Sequence, residues 1–474
     1  MDIKNEKITS RDVDFAKWYT DVCKKAELMD YSSVKGFIIY RPYGYAIWEQ
    51  IQKYLDNKFK ETGHKNLYMP LVIPESLFNK EKDHVEGFAP ETLIATVGGK
   101  EELSEKLIIR PTSECLFTDF YSRIISSYRD LPKLYNQWCS VVRWEKVTRP
   151  FLRGSEFLWQ EGHTMHINKD EAMKETLGML AIYKNMGKEL LAIPFVTGQK
   201  SEKEKFAGAI ATYTIEALMH DGKALQSGTT HYFGDGFARA FNVKYLDKEN
   251  KMQYPHQTSW GVSTRLIGAL IMVHGDDNGL VLPPNVAPIQ VVIIPIQDKK
   301  EEVINKVNEL YKRLIKIGIR VKLDMSNRTP GWKFAEWEMK GVPLRLEVGP
   351  RDILANKISY AKRNDSTKEV FLDNELEKQV PELLNKIQVE MYQHALDHLN
   401  QNIKPAKSLE ELKSIVDKGG YAKMMWCEDQ ACENLVKEKS AATLRCILNE
   451  EVPCGVCPIC GKPAKQVVLF AKAY

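Results

Sequence analysis

The sequence has no long apolar run, no apolar leader and almost no charge bias. No segment approaches the roughly 18 to 20 consecutive apolar residues of a membrane helix, which excludes a helical membrane protein. The first residues, MDIKNEKITSRDVDF, are polar and carry no signal-peptide core. Sixty-seven basic residues face 63 acidic ones, a net charge of only +4. A nucleic-acid partner would therefore be held by local basic patches, because no global field attracts it. A paired-cysteine framework is missing too. Of nine cysteines, Cys23, Cys115 and Cys139 are scattered and the other six crowd the C-terminal end. That distribution fits a metal site in a reducing compartment and not a disulfide scaffold. A soluble, cytoplasmic protein of roughly two to four domains is expected.

What is present divides into three parts: 1–284, 285–390 and 391–474. The first begins with a predicted helix over 13–25 and a strand over 36–40. Ile47, Trp48, Ile51, Tyr54, Leu55 and Phe59 recur at helical spacing, which predicts a helix over about 45–60 that Gly63 ends. Residues 67–74 read as extended. Thr112 and Glu114 stand where a strand end meets a helix start, and capping alone accounts for both. The turn-rich stretch 275–284 marks a boundary. Beyond it, strands over 289–296, 319–323 and 344–348 alternate with helices over 299–317 and 334–341, predicting a small α/β domain. Trp332, Lys333, Arg345, Arg351 and Lys362 are its candidates for RNA contact, or else scattered surface residues. In the third part, Cys427 with Cys432 and Cys457 with Cys460 form two hooks for a tetrahedral all-thiolate zinc site. Cys454 or Cys446 could replace one ligand. Four thiolates leave no open position, so this zinc would be structural.

The stretch 139–163, CSVVRWEKVTRPFLRGSEFLWQEGH, carries the most chemistry. Apolar runs over 141–145 and 151–159, joined by a polar turn, predict an antiparallel hairpin. Arg143, Arg149, Arg153, Glu145 and Glu156 ride on it and need partners. Arginine forks grip phosphate oxygens, a nearby carboxylate can hold Mg²⁺, and Phe157 could stack on a base. Surface ion pairs are the plain alternative.

Arg143-x-Glu145, a loop, then Arg153-x-x-x-Phe157 resembles motif 2 of the class II aminoacyl-tRNA synthetases. With Arg110-Pro111-Thr112-Ser113-Glu114, Asn136-Gln137-Trp138 and Trp159-Gln160-Glu161-Gly162-His163, the chain resembles the prolyl-tRNA synthetases of the archaeal and eukaryotic type from about Ser32 to Tyr474. The helix over 45–60 and Pro70 resemble motif 1, and 259–265 with the following helix resembles motif 3. The resemblance implies an α/β (α+β) fold: a class II catalytic domain on an antiparallel sheet, an α/β anticodon-binding domain and a small C-terminal zinc-binding α+β domain. It implies L-proline, ATP with Mg²⁺, and tRNA(Pro) as partners, and a homodimer joined through motif 1. Arg143 and Arg265 would be catalytic. Arg143, Glu145, Arg153, Phe157, Gln226, Thr229, Ser263 and Arg265 would bind ATP. Thr112, Glu114, Arg143, Trp159, Glu161, His163, Phe206 and His231 would bind proline.

Two departures accompany the resemblance. Gly154 and Ser155 stand where relatives often carry threonine and sometimes a basic residue. Only about 60 residues separate His163 from Gln226, too few for the inserted editing domain of many bacterial prolyl enzymes. The rivals are a threonyl, glycyl or histidyl enzyme of the same subgroup and a non-catalytic RNA-binding or regulatory relative.

Overall fold

The computed structural model describes residues 8–80 and 92–474. Six strands form its centre: Lys133–Val142, Glu156–His166, Val196–Gln199, Ala211–Leu218, Ala224–Gly234 and His256–Ser263. All neighbouring pairs among them are antiparallel, as expected. One face packs on apolar helices. Arg265–His274 is apolar nearly all round and buried from Leu266 to Met272. Pro42–Glu61, started by a proline in its first turn, buries Ile47, Trp48, Ile51, Leu55 and Phe59. Gly162 is required on this face: a Cβ there would lie 2.2 Å from the buried Trp260 indole.

The hairpin of the sequence reading is present with different bounds. Its strands are Lys133–Val142 and Glu156–His166, so Arg143, Glu145, Arg149 and Arg153 lie on the connecting loop and not on strands. Phe151 and Leu152 mimic a strand start in sequence. They are instead a buried plug in mid-loop, with the Phe151 ring 5.8 Å from Tyr40. The loop is tied down by Arg149 and Arg153, which exchange backbone hydrogen bonds, and by the Tyr19 hydroxyl, which donates to Pro150 O at 2.7 Å. Gly36 accepts the Ser155 N–H at 2.8 Å and holds φ at +86°, a conformation suited to glycine.

Arg110 is fully buried and structural. It donates to the carbonyls of Met69, Pro70 and Ser140 at 2.6, 3.2 and 2.9 Å, pinning the Pro70 segment to the sheet. Of the extended segment 67–74 only Val72–Pro74 is a strand.

The second part is the expected α/β unit, with strand order 321–323, 291–295, 344–348, 357–362, 368–372. The last two strands are antiparallel additions that the sequence reading missed. Lys333 is corrected as an exposed RNA contact. It is 1% exposed and its ammonium donates to Asp324 O at 3.1 Å. Lys362 is largely buried and held by Glu390 at 3.0 Å and Asp365 at 2.6 Å, yet it lines the same cleft as Phe334 and Arg345. Arg345 stacks 4.1 Å over Phe334, and Arg351 is exposed. The helix Leu376–Gln401 runs without a break across residue 390 into the third part.

That third part continues the central sheet. Ile447 pairs with Gln199, and the strands Thr443–Ile447, Gln466–Ala471, Tyr421–Trp426 and Ile403–Pro405 extend the sheet on that side; with the short parallel strand Lys65–Asn66 at the opposite edge it has 11 strands. Tyr474 reaches back, donating to Asp221 at 2.5 Å beneath the guanidinium of Arg149. The seam is locked by a buried ion triad. Glu216 is 0% exposed and accepts from Lys200 at 2.6 Å and from both ends of the Arg445 fork at 3.0 to 3.2 Å. Burial pushes the Glu216 carboxyl up, but the two cations outweigh it and hold it below its ordinary value of 4.5. A carboxyl so depressed adds stability above that value, and the gain is lost as pH falls through the lowered one. Arg445→Ala leaves Glu216 paired with Lys200 alone and takes the Arg445 donors from its buried Oε2. Urea unfolding at pH 7 should show a loss of about 1 to 3 kcal/mol, the cost of a buried acceptor left without its donors; a loss below about 1 kcal/mol, the worth of a surface pair, would show that the triad does not lock the seam.

Candidate functional site

Side chains alternate along a strand, so every second residue faces one side. Phe157, Trp159, Glu161 and His163 therefore share the face opposite the helices. The register sets Ser263 beside Trp159, Gly261 beside Glu161 and Ser259 beside His163. The next strand sets Thr229 beside Gly261 and His231 beside Ser259, and Thr212 lies opposite His231. These residues floor a cleft of about 930 Å³ measured to its open mouth, walled by Thr112, Glu114, Arg143, Phe206, Gln226 and Arg265. From His163 to Phe157 the floor runs about 20 Å, at roughly 3.4 Å per residue. That accommodates a small amino acid in line with a nucleotide.

One end is acidic. Thr112 donates to Glu114 at 2.5 Å, and Ser259 donates to the other Glu114 oxygen at 3.3 Å. The helix Glu114–Ile124 has no side-chain cap, so Thr112 and Glu114 turn into the cleft and do not serve as caps. Beneath them Glu161 is buried and accepts from Ser113 Oγ at 2.5 Å, Gln137 at 2.5 Å and Ser113 N at 3.2 Å. His163 Nε2 lies 2.9 Å from it. Burial raises the Glu161 carboxyl, but hydrogen bonds from His163, Ser113 and Gln137 prevail and hold it below its usual range. His163 stacks on Phe117 at 4.2 Å, and its Nδ1 is buried without a hydrogen-bond partner. His231 sits between two hydroxyls, Thr212 and Thr229, each at 2.9 Å, with Phe206 tilted over it at 4.6 Å.

The other end is basic. Arg265 donates to Leu152 O at 3.0 Å and Gln226 O at 3.1 Å. Burial and the nearby charges of Arg143 and Arg153 lower it to about 10, and it stays charged at neutral pH. Arg143 donates to Pro111 O at 3.1 Å and lies 5.5 Å over Phe157 and 5.3 Å over Trp159, joining the two ends. Thirteen of the fifteen predicted substrate residues line this cleft. Glu145 and Arg153 do not. They face each other on the loop at 3.8 Å, with Arg153 54% exposed. Ser259, Thr212 and Glu204 were missed. Ser259 was visible as the residue in step with Gly261 and Ser263, and Thr212 only through its register with His231.

The four predicted cysteines come together: the sulfurs of Cys427, Cys432, Cys457 and Cys460 lie within 4.8 Å of one another. Cys427 is 3.7 Å from Cys432 and 3.5 Å from Cys460. A tetrahedral zinc with four thiolates requires sulfurs about 3.8 Å apart, so the set fits that ion. Cys446, in a strand, and exposed Cys454 stand outside the cluster.

One pH dependence follows from the acidic end. Burial, with the neighbouring charges of His163 and Arg143, lowers His231 to about 3, so it is neutral in the folded protein. A histidine so depressed stabilises above its ordinary 6.5, and the gain is lost progressively as pH falls from there towards 3. Denaturant unfolding between pH 7 and 4 should show a shallower pH slope in His231→Gln than in the original chain. Identical slopes would mean that His231 titrates normally.

Three family models match in series: a tRNA synthetase class II core domain (G, H, P, S and T) over residues 96–274, an anticodon binding domain over 290–385, and a prolyl-tRNA synthetase C-terminal domain over 409–474. A proline–tRNA ligase of Clostridium novyi is 60% identical across 99% of this chain and 98% of its own length. One from Lachnoclostridium phytofermentans is 60% identical with the same coverage. A crystal structure of the prolyl-tRNA synthetase from Cryptosporidium parvum, complexed with halofuginone and AMPPNP, superposes with a TM-score of 0.95. It is 40% identical and covers 100% of this chain and 99% of that one. The sequence resemblance pointed to an archaeal and eukaryotic type; relatives at 60% identity are bacterial, so this arrangement also occurs in bacteria. The chain belongs to the prolyl-tRNA synthetase family of the class II aminoacyl-tRNA synthetases.

Proposed function

We propose that the chain activates L-proline with ATP and transfers it to the 3′ end of tRNA(Pro). One observation carries this reading: a single cleft has a carboxylate end sized for an amino acid, an arginine end suited to phosphate, and Arg143 between them. The Glu114 carboxylate and Thr112 hydroxyl match the two N–H donors and positive charge of proline's secondary ammonium. Trp159, Glu161, His163, Phe206 and His231 enclose the ring. The proline carboxylate, already an anion, attacks the α-phosphorus in line and pyrophosphate leaves. No general base is needed, so catalysis is positioning and charge neutralisation. Arg143 neutralises the α-phosphate, Arg265 and Arg153 take the terminal phosphates, and Phe157 stacks on adenine. Gln226, Thr229 and Ser263 complete the nucleotide contacts, and Glu145 with Gln226 would hold a Mg²⁺ that neutralises phosphate charge. Arg153 and Glu145, now paired, would part to do so.

We divide the chain into a catalytic domain over 1–284, an anticodon-binding domain over 285–390 and a zinc domain over 391–474. Phe334, Trp337 and Arg345 line a second cleft, in the anticodon-binding domain, where a base could stack. The Pro70 segment exposes Tyr68 and Leu71, which favours a homodimer through that face. No helix among the described residues is long and apolar enough to cross a membrane, which accords with a cytoplasmic location.

Proline-dependent ATP–pyrophosphate exchange without tRNA tests the activation. The original chain should exchange with proline and weakly with alanine, and Arg143→Ala should lose at least about 10²-fold. Exchange with no amino acid would favour a non-catalytic relative. A second outcome concerns proofreading. An apolar pocket rejects a substrate smaller by one methylene by only roughly 10- to 200-fold. Alanyl-tRNA(Pro) given to the purified protein should persist as long as in buffer; faster hydrolysis would reveal a clearing activity.

A further inference from the structure

Residues 200–206 leave the strand Val196–Gln199 and supply Glu204 and Phe206 to the cleft wall. By composition the segment is a solvated charged loop, yet three of its side chains are held by the C-terminal part. Lys200 donates to Arg445 O at 3.0 Å, Ser201 Oγ to Glu433 Oε1 at 2.8 Å, and Lys203 to Asn434 Oδ1 at 2.6 Å. The Ser201–Glu433 contact is buried on both sides, at 1% and 2% exposure, and the Lys203 contact is exposed. The Ser201 carbonyl then accepts from the N–H of Glu204 at 3.1 Å and of Lys205 at 2.9 Å, closing one helical turn. That turn ends at Phe206, whose N–H donates to Thr212 Oγ1 at 3.0 Å beside His231. Glu433 directly follows Cys432, in the first turn of the helix Gln430–Ser440.

We propose that Glu433 is a positioning residue for the substrate pocket, and that through it the metal in the thiolate cluster sets the order of the Phe206 wall. Glu433 touches neither substrate nor reacting atoms. It fixes Ser201, Ser201 anchors the turn, and the turn aims Phe206. Cys427 and Cys432 bracket the start of the Glu433 helix, so a bound zinc immobilises the acceptor and its loss frees it. A buried hydrogen bond to a carboxylate is stronger than the exposed lysine contact beside it, so Glu433 dominates the tether. The proposal rests on the reading that Phe206 walls the amino-acid end.

Two measurements on the full-length zinc-loaded protein test it: hydrogen–deuterium exchange of the 201–209 amides, and the KM values for proline and ATP in pyrophosphate exchange. Glu433→Ala should speed exchange of those amides and raise the proline KM about tenfold, as loss of one charge-assisted hydrogen bond implies. The ATP KM and kcat should stay within about twofold, the pattern of a lost binding contact. Glu433→Gln keeps an acceptor oxygen and should restore both readouts. Ser201→Ala removes the same bond from the catalytic side and serves if the Glu433 variant does not fold. The double variant should be no worse than either single one. Zinc chelation from the original chain should speed the same amides. Unchanged 201–209 exchange in both single variants, additive effects, or equal rises in the two KM values would overturn the proposal. Absence of any proline-dependent activity in the original chain would instead defeat the functional reading, and amide exchange would still judge the tether.

Discussion

A carboxylate cut off from water must have its charge matched by donors around it, and Glu161 sets that constraint at the centre of this protein. Meeting it recruits Ser113 from the start of one helix, Gln137 from the adjacent strand and His163 from its own. The consequences spread outward. With Ser113 committed to Glu161, its neighbours Thr112 and Glu114 face the cleft. Gln137 uses its remaining oxygen to accept the Met69 N–H at 2.9 Å, fixing the segment that leads to Pro70. His163 is held with one nitrogen on Glu161 and its ring against Phe117. The acidic end of the cleft is thus preorganised by a polar network whose members are nearly all satisfied, which makes it rigid.

Legibility in the sequence followed the range of the interactions. The cleft floor was readable only through the motif resemblance, because the strand predicted over 151–159 stopped short of Glu161 and His163, which the observed strand Glu156–His166 includes. The thiolate cluster was readable because two short hooks suffice to specify it. The arginine loop was misread because Phe151 and Leu152 look like a strand start, and only the distant Tyr40 and Tyr19 make them a buried plug. Lys333 was misread for a related reason. Composition marks a lysine as surface, whereas burial beside a carbonyl or carboxylate is decided by chain segments far away. Thr212 entered the site only through cross-strand register, which no single segment encodes. The strand Lys368–Leu372 was missed because an antiparallel edge with one wet face has a weak apolar pattern, and Lys357–Lys362 because lysines stand at both its ends.

The continuity of the central sheet with the C-terminal strands also says something about how the molecule is made. The strand Val196–Gln199 has one side paired to Ala211–Leu218, and its other side is closed only by Thr443–Ile447. That partner emerges from the ribosome about 250 residues later, or roughly 12 to 50 seconds at ordinary rates of synthesis. Until then that strand's free side is an open edge in the nascent chain, a template for pairing with a stranger. A charged 200–206 segment beside that edge is the kind of sequence that discourages such pairing. The same residues that later shape a pocket wall would thus act first as a gatekeeper during translation.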